Sequence, residues 1–264
     1  MIPVALSIAG SDPSGGAGIQ ADLKTFHQFG VYGQAVITLL TVQNTVKVSR
    51  VDCLDPALVR EQLHAVLEDM PPQAAKTGAL GNAAIIETVA EVWSRHPLIP
   101  LIVDPVMISK HGASLIAEDA REVLLRQLLP CAALVTPNLH EASLLVGFTV
   151  DSIDSMKRAA ERILSFGSKA VLVKGGHLMG SATDVLLSSK GFLILEAKRT
   201  ETNHTHGTGC TYSAAITAGL AGGQELEHAV RAAKLFIAEA IRTNPGLGHG
   251  SGPVNHHATI KQKD

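Results

Sequence analysis

Apolar, β-rich runs alternate with helical patterns along most of this chain, and no other feature restricts its fold as strongly. Pro3–Ala9 reads as a strand and Gly16–Phe29 as a helix. Val36–Val42 and Val46–Leu54 read as strands. Pro56–Glu68 has helical spacing, with Asp55 placed to cap it. Gln73–Thr77 is a short strand, Ala83–Ser94 a helix, and Leu101–Val103 a buried strand that stops at Asp104-Pro105. Ala117–Leu129 is helical and Ala133–Val135 a strand, after which a helix started by Asn138 or a neighbour runs to Val146. Ser155–Phe166 is a helix and Ala170–Lys174 a strand. Ala182–Leu187 and Phe192–Ala197 form a hairpin around Lys190-Gly191. Thr208–Gly222 and Glu225–Arg242 are the last helices, and the Gly/Pro/His-rich stretch from Asn244 to Asp264 is irregular.

Such alternation implies an α/β fold with a central, mostly parallel sheet covered by helices on both faces. No internal repeat or long linker divides the chain, so residues 1–264 read as a single domain. With 46% apolar and 17% charged residues, the chain can bury a large core and is no candidate for disorder. A net charge of -2 gives no reason to expect nucleic acid or an anionic membrane as partner. The three cysteines, Cys53, Cys131 and Cys210, include no CxxC pair, which fits a reducing cytoplasm rather than a disulfide framework or zinc site. Ile2–Ala9 lacks a basic flank and meets Asp12 at once, so it reads as a first strand and not a signal peptide. No apolar run approaches the ~18–20 residues of a membrane span.

In open parallel sheets, ligands bind beyond the carboxyl ends of the strands. The residues that follow the strands here are Gly10–Gly18, Gln43-Asn44, Lys76-Thr77, Asp104-Pro105, Pro137-Asn138, Lys174-Gly175 and Gly207–Cys210. They are the polar and glycine-rich positions of the chain, as one shared site requires. The first loop matches neither GxGxxG nor GxxxxGK[ST], so its glycines, Gly10 among them, suit close approach of backbone to a small ligand instead. Buried Asp12 and Asp22 would need partners. Asn138 and Glu141 lie one helical turn apart and can face one point with Asp104. Hard oxygen groups beside a polyphosphate suit Mg²⁺, and Lys174 can offer a cation to phosphate oxygens.

Gly207-Thr208-Gly209-Cys210 is the strongest element. A glycine turn that opens an alanine-rich helix leaves its first N–H groups unpaired and pointing the same way, ready for a phosphate. Phosphoryl transfer needs charge stabilisation and in-line positioning above all, and a base near the acceptor hydroxyl helps. Cys210 stands where the positive field of the helix start should lower a thiol pKa. Cys53 and Cys131 lie at apolar strand-like runs and read as inert core residues. Among the histidines, His206 is placed to shape the anion loop. His204-x-His206 and His256-His257 lack a third metal ligand at a recognisable spacing, and the latter pair reads as solvated tail.

The runs AGSDPSGGAGIQADLKTF (9–26), TVQNT (41–45), VDPVMISKHG (103–112), TPNLHEASLL (136–145), VLVKGGH (171–177) and HGTGCTYSAAI (206–216) resemble the hydroxymethylpyrimidine kinase/phosphomethylpyrimidine kinase family of thiamin biosynthesis. That family belongs to the ribokinase-like superfamily, and the resemblance runs in order over nearly the whole chain. It implies a three-layer αβα ribokinase-like fold and two successive ATP-dependent phosphorylations. The first acts on 4-amino-5-hydroxymethyl-2-methylpyrimidine and the second on its monophosphate. By the same resemblance, Gln43 contacts the pyrimidine, aided by the backbone around Ala17 and by Asp22. Gly207–Cys210 forms the anion hole, with Cys210 where many sugar kinases of the superfamily carry an Asp base. Asp104, Asn138, Glu141 and Lys174 handle MgATP. Relatives commonly form homodimers.

Two positions depart from relatives. Ala79 replaces a larger methionine found beside the pyrimidine in some, which loosens the fit around the ring. Ser109 stands where dual-function relatives that also phosphorylate pyridoxal can carry a cysteine. A pyridoxal kinase of the same fold is the nearest rival. A cysteine hydrolase built on Cys210 and His206 lacks a third orienting group. A nonenzymatic pyrimidine binder would have no use for Asp104, Glu141, Lys174 and Cys210. The segment from Ile108 to Leu115, with Gly112, is a candidate lid.

Overall fold

A computed structural model describes residues 2–107, 118–176, 178 and 180–259. Among these, nine strands form one sheet. The first half of the chain supplies β1 (Val4–Ser11), α1 (Gly18–Gln28), β2 (Tyr32–Gln43), β3 (Val48–Cys53), α2 (Pro56–Asp69), β4 (Ala74–Thr77), α3 (Ala83–Ser94) and β5 (Leu101–Val103). The second half supplies α4 (Glu118–Val123), β6 (Leu134–Val135), α5 (Leu139–Val146), α6 (Ile153–Leu164), β7 (Val171–Gly175), β8 (Ala182–Ser188), β9 (Gly191–Ala197), α7 (Thr208–Ala221) and α8 (Leu226–Arg242). The strand order is β3-β2-β1-β4-β5-β6-β7-β8-β9. The six strands from β2 to β7 in that order run parallel, while β3, β8 and β9 extend the edges antiparallel.

Side chains alternate across each strand, and this period assigns them to two cores. Leu101 and Val103 of β5, and Val171 and Val173 of β7, enter the core beneath α2 to α6. Ile102 and Leu172 between them enter the opposite core with α7 and α8. α1 packs against α7 on that same side. The result is the expected three-layer αβα arrangement. Strands buried on both faces read as continuous apolar runs, which is why Leu101-Ile102-Val103 has no polar alternation.

Three expectations need correction. The helix anticipated over Ala117–Leu129 is regular only to Val123, and Ala117 itself lies outside the described residues. It widens into a π turn over Leu124–Leu128 and tightens to a 3₁₀ turn over Leu129–Cys131. Pro130 lacks an N–H and its ring crowds the carbonyl four residues back, so the α pattern cannot continue through it. Cys53 is exposed at the end of the edge strand β3 rather than in a core. The segment after α8 is irregular but packs back on the molecule. Val254 and Ala258 join the α7–α8 core, and His256 is buried with Nε2 3.1 Å from Thr211 Oγ1, whereas His257 is exposed. Burial pushes the His256 pKa down to about 4, so it is a neutral wedge and not a solvated cation. Finally, Ser109, the candidate lid from Ile108 to Leu115 and His177 lie outside the described residues.

Candidate active site

The carboxyl ends of β1, β2, β5, β6 and β7 open, with the start of α7, onto one cavity of about 790 Å³. Gly10, Ala17, Leu39, Gln43 and Ala79 line one end, and Asp104, Asn138, Glu141, Lys174 and Gly207–Cys210 line the middle. Beyond them the cavity continues past Lys198–Thr200 to Ile237, Ala238 and Ile241 of α8. Eleven of the twelve anticipated site residues thus converge on one space. Asp22 does not, because it lies beneath the wall with no exposed surface.

α7 begins at Gly207, whose φ of 78° and ψ of 4° place it in the left-handed region. A Cβ there would stand 1.7 Å from the Gly16 carbonyl oxygen, so both conformation and space demand glycine. No side chain caps this helix start. The Gly209 and Cys210 amides find no acceptor among the described residues, which leaves two aligned donors over the cavity. A Cβ on Gly209 would lie 3.3 Å from Lys174 Nζ and 3.6 Å from Asp104 Oδ2. The helix start therefore sits directly above that ion pair.

Lys174 Nζ donates to Asp104 Oδ1 at 2.8 Å, and Thr136 Oγ1 donates to the same oxygen at 3.1 Å. Ser213 Oγ of α7 donates to Asp104 Oδ2 at 3.3 Å. Burial works against charge on Asp104, but the Lys174 and Lys76 ammonium groups outweigh it and hold the carboxyl below its ordinary value. Asn138 and Glu141 form a reciprocal cap on α5: Glu141 N–H donates to Asn138 Oδ1 at 2.9 Å, and Asn138 N–H to Glu141 Oε2 at 2.8 Å. Burial, reinforced by the nearby Asp104 carboxylate, lifts the Glu141 pKa to about 7 against the pull of Lys174. The capping and cavity-facing roles thus coexist in Glu141.

A second lysine–aspartate pair lies below the first. Lys76 Nζ meets Asp22 Oδ1 at 2.9 Å and Oδ2 at 2.8 Å, and Ser7 Oγ donates to Oδ2 at 2.6 Å. Neither Lys76 nor Asp22 has exposed side-chain surface. The sequence reading gave Asp22 to the substrate, but its carboxylate is occupied within the wall. Burial opposes the Lys76 ammonium, yet Asp22, Cys210 and Asp104 around it raise its pKa.

Cys210 lies between the two pairs, and its thiol corrects the sequence reading. Its pKa is pushed up to about 11 rather than lowered. Burial is the largest cause. Asp22 and Asp104 add to it, and burial with these carboxylates outweighs the opposing Lys76 ammonium and Gly18 amide. The side chain is nonetheless partly exposed and lines the cavity.

Sequence reasoning missed three further features. Asp12 and His206, both buried, meet at 2.7 Å beside Gln43. Lys234 Nζ donates to Asp184 Oδ2 at 2.7 Å, with Tyr212 OH on the same oxygen at 3.1 Å, bracing α7 and α8 against β8. Arg199 ties the loop after β7 by donating to the Gly176, Leu178 and Gly180 carbonyls. Asp12 and His206 were each noted singly in the sequence, but no local signal pairs any of these residues with its partner.

Among the described residues, no three His, Cys, Asp or Glu side chains converge as a metal cluster. A cation carried on a polyphosphate needs fewer protein ligands, because Mg²⁺ keeps phosphate oxygens and waters. Asp104 and Glu141 fit such a cation, since both line the cavity and the Asp104 carboxylate raises the proton affinity of Glu141.

The sequence profile of the phosphomethylpyrimidine kinase family matches residues 12–255. The hydroxymethylpyrimidine/phosphomethylpyrimidine kinase of Staphylococcus aureus (strain MSSA476) is 46% identical over 263 residues, covering 98% of this chain and 95% of its own. Among solved structures, an ADP complex of Bacillus subtilis pyridoxal kinase superposes with a TM-score of 0.90 at 39% identity, covering 98% of each chain. The phosphomethylpyrimidine kinase of Clostridium difficile 630 superposes with a TM-score of 0.80 at 45% identity, covering 90% of this chain and 99% of its own.

Proposed function

The chain belongs to the phosphomethylpyrimidine kinase family, and from that membership and the cavity we infer how it acts. It has the ribokinase-like αβα fold and is an ATP-dependent kinase of thiamine biosynthesis. It phosphorylates 4-amino-5-hydroxymethyl-2-methylpyrimidine and then the monophosphate so formed. The observation that carries this reading is the uncapped start of α7 above Lys174–Asp104, in a cavity that ends at Gln43. We read residues 1–264 as one kinase domain, since a single sheet serves the walls of that cavity.

In the proposed mechanism Gln43 and the backbone at Gly10 and Ala17 hold the pyrimidine, with the hydroxymethyl group toward Cys210. The Gly209 and Cys210 amides face the phosphoryl group in flight and stabilise the charge spread over its oxygens. Lys174 supplies a positive charge to the same oxygens, and Asp104 fixes its position. Asp104 and Glu141 would hold Mg²⁺, which when bound neutralises phosphate charge. Asn138 keeps Glu141 aimed through the α5 cap. Cys210 accepts the hydroxyl proton in the first step. With a pKa of about 11, its thiolate is a minor form at neutral pH. A loose transition state defers proton transfer, so a scarce base is sufficient. In the second step the acceptor is a phosphate, already anionic, and needs no base.

ATP-coupled turnover with hydroxymethylpyrimidine, following mono- and diphosphate separately, tests this reading. Both products should form at the expense of ATP. Pyridoxal belongs in the same assay, because pyridoxal kinases share the fold at 39% identity. Turnover of pyridoxal alone would transfer the chain to that activity. Leu40 and Val42, exposed on β2 beside Val46, form an apolar stripe that a second copy covers in the proposed homodimer. Sedimentation of the wild type and a Val42→Lys variant checks this. Among the described residues no helix is long and apolar enough to cross a membrane, and we place the enzyme in the cytoplasm.

A further inference from the structure

Asp12, His206 and Gln43 make a chain of contacts at the ring end of the cavity. His206 Nε2 lies 2.7 Å from Asp12 Oδ2 and 3.2 Å from Gln43 Nε2. Burial opposes charge on Asp12, but His206 and Ser14 hold its carboxyl below the ordinary value, so it is ionised. A carboxylate can only accept. Nε2 therefore carries the proton, in the neutral ring and in the imidazolium alike. An N–H that donates to Asp12 cannot accept from an amide NH₂. The oxygen and nitrogen of an amide exchange places by a simple flip, and the hydrogen-bond network decides between them. Here it turns the Gln43 carbonyl oxygen to His206, where it shares the single Nε2–H with Asp12 as the longer arm of a three-centre bond. The other amide position meets no hydrogen-bond partner among the described residues, and Gln43 lines the cavity.

The arrangement is stiff. Asp12 Oδ1 accepts from Ser14 N–H at 2.9 Å and Ser14 Oγ at 2.7 Å, and Oδ2 accepts from Ala17 N–H at 2.9 Å. His206 N–H donates to the Gly252 carbonyl at 3.0 Å, and Val254 N–H donates to the His206 carbonyl at 3.2 Å. A Cβ on Gly16 would come within 2.5 Å of His206 Cδ2, so the ring has no room to turn on that side.

We propose that Asp12 and His206 are positioning residues that lock the Gln43 amide with its NH₂ toward the cavity, so that Gln43 reads the bound ring as a hydrogen-bond acceptor. This deepens, and rests on, the pyrimidine reading above. A ring nitrogen satisfies that donor and a C–H in its place does not.

Titration calorimetry with hydroxymethylpyrimidine and two analogues, each with one ring nitrogen replaced by C–H, tests the inference. The wild type should bind one analogue roughly tenfold more weakly than the parent, the scale of one lost hydrogen bond. His206→Asn should weaken parent binding by about the same factor and narrow the gap between parent and analogue. In a Gln43→Ala background, the further change His206→Asn should cost no more than about twofold, because its effect runs through Gln43. A full additional loss there would assign His206 a merely structural role and overturn the proposal. Should His206→Asn fail to fold, Gln43→Glu leaves the pair in place and presents only acceptors once ionised. It should weaken the parent at least roughly tenfold and spare the analogue that already lacks the nitrogen; parent binding as tight as wild type would overturn the proposal. Parent binding with equal affinity for both analogues in the wild type overturns this inference alone. No binding of the parent at all overturns the pyrimidine reading together with it.

Discussion

Two lysine–aspartate pairs lie near the carboxyl ends of the central strands, and they differ above all in access. Lys76–Asp22 is sealed, with no exposed side-chain surface on either partner. Lys174–Asp104 keeps 12% of the lysine side chain exposed and opens on the cavity beneath α7. Both have an ammonium–carboxylate contact of 2.8 Å, although Lys76 meets both oxygens of Asp22 and Lys174 only Oδ1 of Asp104. In the proposed mechanism access separates a structural pair from a working one: Lys174, open to the cavity, can exchange a carboxylate for a phosphate oxygen, and the sealed Lys76 cannot. Cys210, between them, feels the charges of both.

The largest expected effect falls on the sealed pair. Lys76→Ala leaves Asp22 buried without its counter-charge and should cost about 3–5 kcal/mol of stability. Replacing both partners together, as Lys76→Met with Asp22→Leu, should recover most of that loss in thermal melts. A single mutant as stable as wild type would break the distinction.

Next comes the open pair. Lys174→Met should lower kcat by about 10²–10³, the scale of one lost charge-stabilising donor. Its loss of stability should be smaller than that of Lys76→Ala, because the cavity lets water reach Asp104. Unfolding to the same degree, with turnover per folded molecule intact, would make the two pairs equivalent.

The smallest effect concerns Glu141. Its carboxyl pKa is raised from 4.5 to about 7, so the folded state binds the proton more tightly than the unfolded chain. Stability from this group is present at low pH, falls as pH rises from about 4.5 to about 7, and is level above that. Glu141→Gln preserves the α5 cap, since glutamine also accepts from the Asn138 N–H. It should flatten that slope in melts taken across the window. Parallel slopes in the two proteins would show that Glu141 is not the group responsible.

The layered fold was legible because buried parallel strands read as short continuous apolar runs while amphipathic helices repeat their apolar residues about every 3–4 positions. α3 runs from Ala83 to Ser94 as anticipated, and Asp55 caps α2 through the Ala57 amide at 2.8 Å. The cavity-lining residues were legible for a related reason: each follows a strand end or opens a helix, and Asn138 with Glu141 spells its cap locally. Other features depend on residues distant in sequence. Lys76 and Asp22 are 54 residues apart, and Asp12 and His206 are 194 apart. Nothing local marks them as pairs. The Cys210 pKa was misread for that reason. The helix field is visible in the sequence, but the burial that chiefly raises the pKa, and the carboxylates of residues 22 and 104 that add to it, arrive only once the chain folds. The burial of His256 likewise comes from contact with Thr211, which an aperiodic segment does not announce.

Cys210→Ala, assayed separately on hydroxymethylpyrimidine and on its monophosphate, tests the division of labour most directly. The amides at the α7 start remain in the variant and, in the proposed mechanism, serve both transfers. On the same proposal the thiol is needed only where the acceptor is an alcohol. The first phosphorylation should slow by about 10²–10⁴, the range of general-base catalysis, while the second changes little. In the wild type the first-step rate should still rise with pH above neutrality, because the thiol pKa lies at about 11. Equal losses in both steps would contradict the account and leave Cys210 as a part of the anion site alone.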